Sequence, residues 1–212
     1  MAVSKNSLSI LSGYLIVLLI ELFTQKILWT INSLYIVLTL ESLLGSVLLL
    51  WLNHHFSYQN PIEKKASSNL KNIILWGILG IGLIFMGQVL TLTITHFIFK
   101  QSLFSQNTAQ FLTIFKHAPY YGLDIVIATP IIEELIFRKI LFGNLTLWFK
   151  PWIAALISSF LFVIIHQDGH FLTYFVMGCI LEFIYYKAHD IRAAMITHAG
   201  LNLLVLLIFD LK

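Results

Sequence analysis

Two adjacent glutamates and an arginine occupy a segment of the chain that is otherwise apolar: Glu133, Glu134 and Arg138. A charged side chain near the centre of a lipid bilayer costs at least ~2.5–3.5 kcal/mol on insertion scales. Charges this close together must therefore face a protein interior or a water-filled cavity, and their default interpretation is functional. A carboxylate in such a place can act as a general base towards water.

The other polar candidates lie in the apolar segments that follow. His166 ends the apolar run 160–165, and His198 and Asn202 lie in the last apolar segment. The i, i+4 spacing of His198 and Asn202 places both side chains on one face of a helix, one turn apart. Inside a hydrophobic helix both groups need buried partners. The spacing therefore marks a second polar site.

The depths of these residues can be estimated from a helical hairpin whose turn lies near Lys150. Glu133 precedes this turn, and His166 follows it, by nearly the same number of residues. The two side chains are therefore predicted at nearly the same level. At 1.5 Å per residue, His198 and Asn202 are predicted to be shallower by roughly 6–13 Å. Staggered or tilted helices would remove this offset, so that the four groups can converge in one layer.

Two kinds of hydrolytic site fit these residue types. In the first, Glu133 activates water while imidazole and amide N–H groups stabilise an oxyanion. In the second, Glu133, His166 and His198 bind zinc or another divalent metal, with a position left open for water. Either arrangement suits a peptide hydrolase, and the spacing does not choose between them.

The composition indicates an integral membrane protein. Hydrophobic residues make up 58% of the chain, charged residues only 11%, and the mean hydropathy is +0.87, whereas roughly 25% of residues are charged in soluble proteins. A helix needs ~20 apolar residues to span the bilayer, and seven such segments predict an all-α, multi-pass bundle of about seven helices with its active site within the membrane. The segments are 8–24, 28–52, 72–99, 119–147, 151–167, 170–187 and 191–209. The first is interpreted as a retained helix because no small-residue cleavage site follows it.

The chain divides into N-terminal transmembrane helices and loops, 1–118, and a catalytic helical core, 119–212. Lysines and arginines are more numerous on the side of the N-terminus, which predicts a cytoplasmic N-terminus. The loop 64–71 and the turn at Lys150 would share that side, and the cavity is predicted to open there. Gly178, Cys179 and Glu182 are predicted to line part of it.

Other partners and cross-links are less favoured by the sequence. The net charge of +3 is spread over the loops, without the basic stripe that nucleic-acid binding requires. Cys179 is the single cysteine, so no disulfide framework exists. Gly178 and Gly200 are predicted to permit close packing of helices.

Three motifs resemble the CPBP group of intramembrane proteases, which includes CAAX prenyl endopeptidases and bacterial Abi or bacteriocin-processing proteins. The pattern of that group is Glu-Glu-x-x-x-Arg, then Phe-x-x-x-His, then His-x-x-x-Asn or Asp. The corresponding residues here are Glu133, Glu134 and Arg138, then Phe162 and His166, then His198 and Asn202. All three motifs occur in order within apolar segments, over roughly residues 119–209.

The resemblance implies a role for each of these residues. Glu133 would activate the hydrolytic water with the assistance of His166. His198 and Asn202 would stabilise the oxyanion, or join the others as metal ligands in the group's metalloprotease description.

The resemblance also implies that Glu134 and Arg138 position the site. Glu182 departs from the expected pattern, because this position is usually uncharged, and the role of its carboxylate stays open.

The expected function is that of an intramembrane endopeptidase which acts on membrane-associated protein or peptide precursors in a bacterial plasma membrane, with bacteriocin or pheromone precursors as candidate substrates. The alternative is a non-proteolytic membrane scaffold or bacteriocin immunity factor of the same group. A transporter with a proton relay at the membrane midplane also fits intramembrane carboxylates, but the chain lacks inverted-repeat hydropathy.

Overall fold

The computed structural model of the chain describes residues 4–28, 31–65, 69–103 and 105–210. Within these ranges the secondary structure is helical, with no strand, which confirms the predicted all-α bundle. Residues 211 and 212, which end the predicted C-terminal core, lie outside the described ranges.

Seven of the helices are regular over most of their length, and the bundle is built from them. They are α1 Lys5–Ile27, α2 Ile31–His55, α3 Leu70–Phe99, α4 Gln106–His117, α7 Pro151–His166, α8 Phe171–Ala188 and α9 Ile191–Asp210. Among the described residues, five helices are long and apolar enough to cross a membrane: α1, α2, α3, α8 and α9. Helix α7 is apolar but shorter. The chain is therefore a multi-pass membrane protein.

The predicted span 119–147 is an irregular helix. A π-helix, Asp124–Ala128, leads into α5, Thr129–Glu133; a second π-helix, Glu134–Phe142, then leads into α6, Gly143–Leu145. We call residues 124–145 the motif helix, because it carries Glu133, Glu134 and Arg138. The estimate of depth assumed a regular α-helix here, and that assumption is wrong. Wide π turns inside a helix are often found at functional sites.

Helix α4 is a short helix across one end of the bundle. Ser105 begins it as an N-cap, accepting a hydrogen bond from the Thr108 N–H at 3.1 Å. Two residues later, the Asn107 side-chain amide donates to the carbonyl of His166 at 3.0 Å. These contacts connect α4 to the C-terminus of α7.

Close packing of the helices depends on two glycines, as the sequence predicted. A Cβ atom at Gly178 would lie 2.8 Å from the Ser159 hydroxyl oxygen, and one at Gly200 would overlap the Ile81 side chain. Because neither position has room for a side chain, α8 approaches α7 closely and α9 approaches α3 closely.

A polar cluster closes the opposite end of the bundle. The Asn60 amide donates to the Lys139 carbonyl at 3.1 Å and lies 2.6 Å from the Tyr185 hydroxyl. The Lys139 ammonium is 2.8 Å from both carboxylate oxygens of Glu63. We call Asn60, Glu63, Lys139 and Tyr185 the Asn60 cluster. It connects the loop after α2 to the end of the motif helix, where the Asn60 amide leaves no space for a Cβ atom at Gly143.

Candidate active site

Four of the residues predicted from the sequence line one cavity of about 520 Å³: Glu133, His166, His198 and Asn202. The rest of its wall is mostly apolar and comes from α3, α4, α7, α8 and α9. The predicted convergence of the four polar groups is thus observed. A largely apolar cavity with a few polar groups is typical of a ligand site.

The cavity lies at the end of the bundle that carries α4. Helix α7 contributes its last turns, including His166, and α8 contributes its first turns. Lys150, at the start of α7, is at the other end. The prediction that the cavity opens on the side of Lys150 is therefore wrong, and the reason is that the Asn60 cluster fills that end.

The predicted lining by α8 is also wrong in its residues. Of the described part of α8, the residues that line the cavity are Thr173, Tyr174 and Met177 rather than Gly178, Cys179 and Glu182. Glu182 is only 1% exposed and accepts a hydrogen bond from the Ser159 hydroxyl at 2.8 Å. Its carboxylate therefore belongs to the contact between α7 and α8.

Glu134 and Arg138 lie behind the cavity wall and are fully buried. Arg138 Nη1 is 3.1 Å from Glu134 Oε1, and the guanidinium lies 4.5 Å from the centre of the Phe162 ring. None of the guanidinium nitrogens has a hydrogen bond of good angle to a described residue, so charge and cation–π attraction hold the group. The pair supports the site without touching the cavity.

His198 is oriented by this buried pair. Its Nδ1 is 2.8 Å from the same oxygen, Glu134 Oε1. Because a carboxylate only accepts, Nδ1 carries the hydrogen and donates it. The other ring nitrogen, Nε2, then points towards Glu133, as in other carboxylate–histidine arrangements where the carboxylate fixes the ring.

Glu133 faces His198 from the wall of the cavity. Glu133 Oε2 is 3.9 Å from His198 Nε2, too far for a direct hydrogen bond. This oxygen is buried and has no hydrogen-bond partner among the described residues, while the side chain as a whole is 24% exposed. A water molecule or a substrate oxygen at this position would meet both groups.

His166 belongs to an aromatic stack in the wall of the cavity. Its Nδ1 donates to the Phe162 carbonyl at 2.9 Å, and its ring centre is 4.2 Å from those of Phe162 and Tyr174. A neutral ring therefore has its lone pair on Nε2. Among the described ion pairs none joins His166 to Glu133. His166 lines the same cavity without direct contact to the proposed base.

Asn202 is held by an irregularity of the motif helix. Its side-chain amide donates to the Ile125 carbonyl at 2.8 Å. In a π-helix that carbonyl would bond to the N–H of residue 130, but Pro130 has none. Because a buried carbonyl needs a partner, the amide of Asn202 replaces the missing N–H. The second N–H of the amide remains for a ligand.

A hydrogen-bond network beside the cavity was not predicted from the sequence. The Tyr174 hydroxyl donates to Asp168 Oδ2 at 2.9 Å and lies 3.1 Å from the Ser105 hydroxyl. His170, the residue before α8, is buried, and its backbone N–H donates to Asp168 Oδ1 at 3.1 Å. We call Ser105, Asp168, His170 and Tyr174 the Asp168 network. The sequence feature that could have indicated this network is Asp168, an acidic residue two positions after the candidate His166.

Two further polar atoms of the lining were missed by the sequence analysis. Thr173 Oγ1 and Gln88 Oε1 are buried and have no hydrogen-bond partner among the described residues. Unpaired buried polar atoms are costly. Here they lie beside the cavity, where the N–H and C=O groups of a bound peptide would pair with them.

The described residues contain no group of three His, Cys, Asp or Glu side chains arranged to hold a metal ion. The predicted ligand set, Glu133, His166 and His198, therefore does not fit a metal in this arrangement.

Comparison with known proteins identifies what this chain is similar to. The family model for "Type II CAAX prenyl endopeptidase Rce1-like" matches residues 115–204. The "Putative membrane peptidase YdiL" of Bacillus subtilis (strain 168) is 34% identical over 135 residues, which cover 63% of this chain and 55% of that protein. No solved structure matches.

Two further relatives are more distant. The "Membrane-embedded CAAX protease MroQ" of Staphylococcus aureus (strain USA300) is 28% identical over 74% of this chain and 66% of its own length. The "UPF0177 protein YbdI" of Lactococcus lactis subsp. lactis (strain IL1403) is 26% identical over 68% of this chain and 80% of its own. The chain thus spans between about half and two thirds of the length of the first two relatives. All four candidate residues of the cavity lie within the part that the family model matches.

Proposed function

We propose that the chain, whose residues 115–204 match the Rce1-like family model, is a CPBP-type intramembrane endopeptidase which hydrolyses peptide bonds of membrane-associated substrates. One observation carries the proposal. Glu133 and His198 face each other 3.9 Å apart in an apolar cavity, and His198 is fixed from behind by the buried Glu134.

Water activation is assigned to Glu133. As the water oxygen attacks the carbonyl carbon of the substrate, Glu133 accepts one of the water's protons. The C–N bond then breaks, and the amine nitrogen takes that proton from Glu133. The carboxylate is regenerated, and the protons balance without a metal.

Stabilisation of the oxyanion is assigned to His198 and Asn202. His198 Nε2 faces Glu133 at 3.9 Å, and it donates to the oxyanion when it carries a hydrogen. The free N–H of the Asn202 amide supplies a second donor. Donors that are fixed in advance act on charge as it develops in the transition state.

The role proposed for His166 follows from its place in the cavity wall. No ion pair joins it to Glu133 among the described residues, so we do not assign it to the activation of water. Its Nε2 faces a cavity that Tyr174 and Phe162 also line. We assign His166 to binding a peptide N–H group of the substrate beside the bond that is cut.

The substrate class follows from the lining. A largely apolar cavity with a few unpaired polar atoms, among them Thr173 Oγ1 and Gln88 Oε1, suits an extended apolar peptide. Entry is from the end that carries α4, which is the outer face if the N-terminus is cytoplasmic. Bacteriocin or pheromone precursors are candidate substrates on this basis.

Cleavage of a membrane peptide by wild-type protein and by Glu133→Gln tests the proposal. The amide cannot accept the proton of water, so we expect the rate to fall by at least ~10²–10⁴-fold. Glu41→Gln is the matched control, because Glu41 lies in a neighbouring helix, accepts from Thr24 at 2.6 Å and lines neither described cavity. Near-wild-type cleavage by Glu133→Gln would refute the assignment and favour a scaffold without proteolysis.

A further inference from the structure

A second cavity, of about 220 Å³, lies on the other side of Glu133. Helix α1 lines it with one stripe of residues at i, i+3, i+4, i+7 and i+11: Tyr14, Val17, Leu18, Glu21 and Gln25. Leu38 and Ser42 of α2, and residues 121–133 around the motif helix, complete the wall. We call this space the α1 cavity.

The α1 cavity is far more polar than the large cavity. The Ser42 hydroxyl donates to Glu21 Oε1 at 3.0 Å, and the Thr129 hydroxyl donates to Asp124 Oδ1 at 3.2 Å. Ser42 also interacts with the Asp124 carboxylate. These groups form a polar path from Glu21, through Ser42 and Asp124, to Thr129.

The path ends at the proposed base. Glu133 and Thr129 line both cavities, so this turn of α5 is the wall between them. At the far end of the α1 cavity, Gln25 is exposed on the last turns of α1. The path therefore runs from the surface at the α4 end of the bundle to the back of Glu133.

We infer that the α1 cavity is the route by which water reaches Glu133 while a peptide fills the large cavity. The inference rests on the proposed hydrolysis, which consumes one water molecule for each bond cut. An apolar peptide in the large cavity would exclude water from that side of Glu133. At ~30 Å³ per water molecule the α1 cavity has room for several, and its carboxylates and hydroxyls supply their hydrogen-bond partners.

The first test asks whether the α1 cavity contains water, and it does not depend on activity. Leu18 lines the cavity, while the adjacent Leu19 is 56% exposed on the lipid-facing side of α1. We compare Leu18→Cys with Leu19→Cys in a Cys179→Ser background, in membranes open on both faces. A small charged thiol reagent should label residue 18 at least about tenfold faster, because thiolates form only where water reaches. Equal labelling of the two positions would overturn the inference.

The second test asks whether this water is used in the reaction. Leu18→Trp fills the α1 cavity without touching the large cavity, and Leu19→Trp is the matched control in lipid. We expect kcat of Leu18→Trp to fall by at least about tenfold with KM unchanged, since substrate binding is intact and a later step is slowed. Leu19→Trp should cleave at the wild-type rate.

The outcomes separate the inference from the proposed function. If wild-type protein cleaves and Leu18→Trp cleaves equally fast, the water route is refuted while the endopeptidase stands. If Glu133→Gln cleaves like wild type, or if wild-type protein cleaves no peptide, the proposed function fails and the catalytic use of the water fails with it. Labelling at residue 18 would then still report whether the cavity is wet.

Discussion

The two ends of the bundle differ in whether their buried polar groups have hydrogen-bond partners. At the end of the Asn60 cluster, an amide, a hydroxyl, an ammonium and a carboxylate pair with one another at 2.6–3.1 Å. At the α4 end, Glu133 Oε2, Thr173 Oγ1 and Gln88 Oε1 have no partner among the described residues. An unpaired buried group costs free energy. The contrast therefore indicates that the end of the Asn60 cluster is closed and that the α4 end can bind a ligand.

The pair of Glu134 and Arg138 lies behind the cavity of the α4 end. It is fully buried, yet Glu134 holds His198 and Arg138 lies against Phe162, whose ring contacts His166. Both histidines of the cavity are thus positioned from the same buried ion pair. A substitution of Glu134 or Arg138 should therefore affect both stability and cleavage.

The largest effect on stability is expected from Glu134→Gln. The substitution removes the carboxylate that lies 3.1 Å from Arg138 Nη1 in a fully buried site, so the free energy of unfolding should fall by about 3–5 kcal/mol. Cleavage should fall as well, because a neutral amide oxygen accepts the hydrogen of His198 Nδ1 more weakly than a carboxylate does and so fixes the ring less firmly. Reversible denaturation in mild detergent and the cleavage rate of the folded fraction measure the two effects.

The double variant Glu134→Gln/Arg138→Met separates these effects. It removes both charges, so most of the lost stability should return. The cleavage rate should stay low, because His198 still lacks its carboxylate. If the double variant recovered full cleavage, the pair would be a structural element with no part in positioning His198.

The sequence was sufficient to predict most of the helices and four polar members of the cavity. Glu133, His198 and Asn202 could be found because charge and amide groups in apolar helices are costly, and i, i+4 spacing fixes a common face. The hairpin at Lys150 placed Glu133 and His166 at nearly the same level, whereas the depth predicted for His198 and Asn202 was offset from them. Local spacing and hydropathy determine these features.

The sequence was not sufficient where side chains distant in sequence determine the conformation of the backbone. The π turns of the motif helix depend on partners from elsewhere, such as the Asn202 amide for the Ile125 carbonyl and the Ser158 hydroxyl for the Phe137 carbonyl. The end at which the cavity opens depends on Asn60, which no motif marks. The orientation of the bundle in the membrane stays a prediction from its lysines and arginines.

A smaller effect, confined to stability, is expected from Asn60→Ala at the closed end. The Lys139 carbonyl and the Tyr185 hydroxyl would lose their shared partner in a buried site, which should lower the free energy of unfolding by about 1–3 kcal/mol. The cleavage rate of each folded molecule should change little, because the cluster does not touch the cavity. Denaturation midpoints and rates normalised to folded protein measure this.

Thr173→Val is the counterpart of Asn60→Ala at the open end. The Thr173 hydroxyl has no partner among the described residues, so its replacement by a methyl group should leave stability within about 1 kcal/mol. KM should rise if the hydroxyl pairs with the peptide. A stability loss as large as that of Asn60→Ala would mean that the two ends do not differ in the way described.

The smallest effect is expected from chelation of metal ions. The described residues contain no group of three His, Cys, Asp or Glu side chains arranged to hold a metal ion. A metal-free Glu133 should therefore keep its activity after exhaustive dialysis against a chelator. Elemental analysis of the purified protein, with turnover before and after dialysis, gives the measurement. The opposite outcome is about one zinc ion per chain, with activity that is lost when the zinc is removed and regained when it is restored. That result would indicate a metalloprotease.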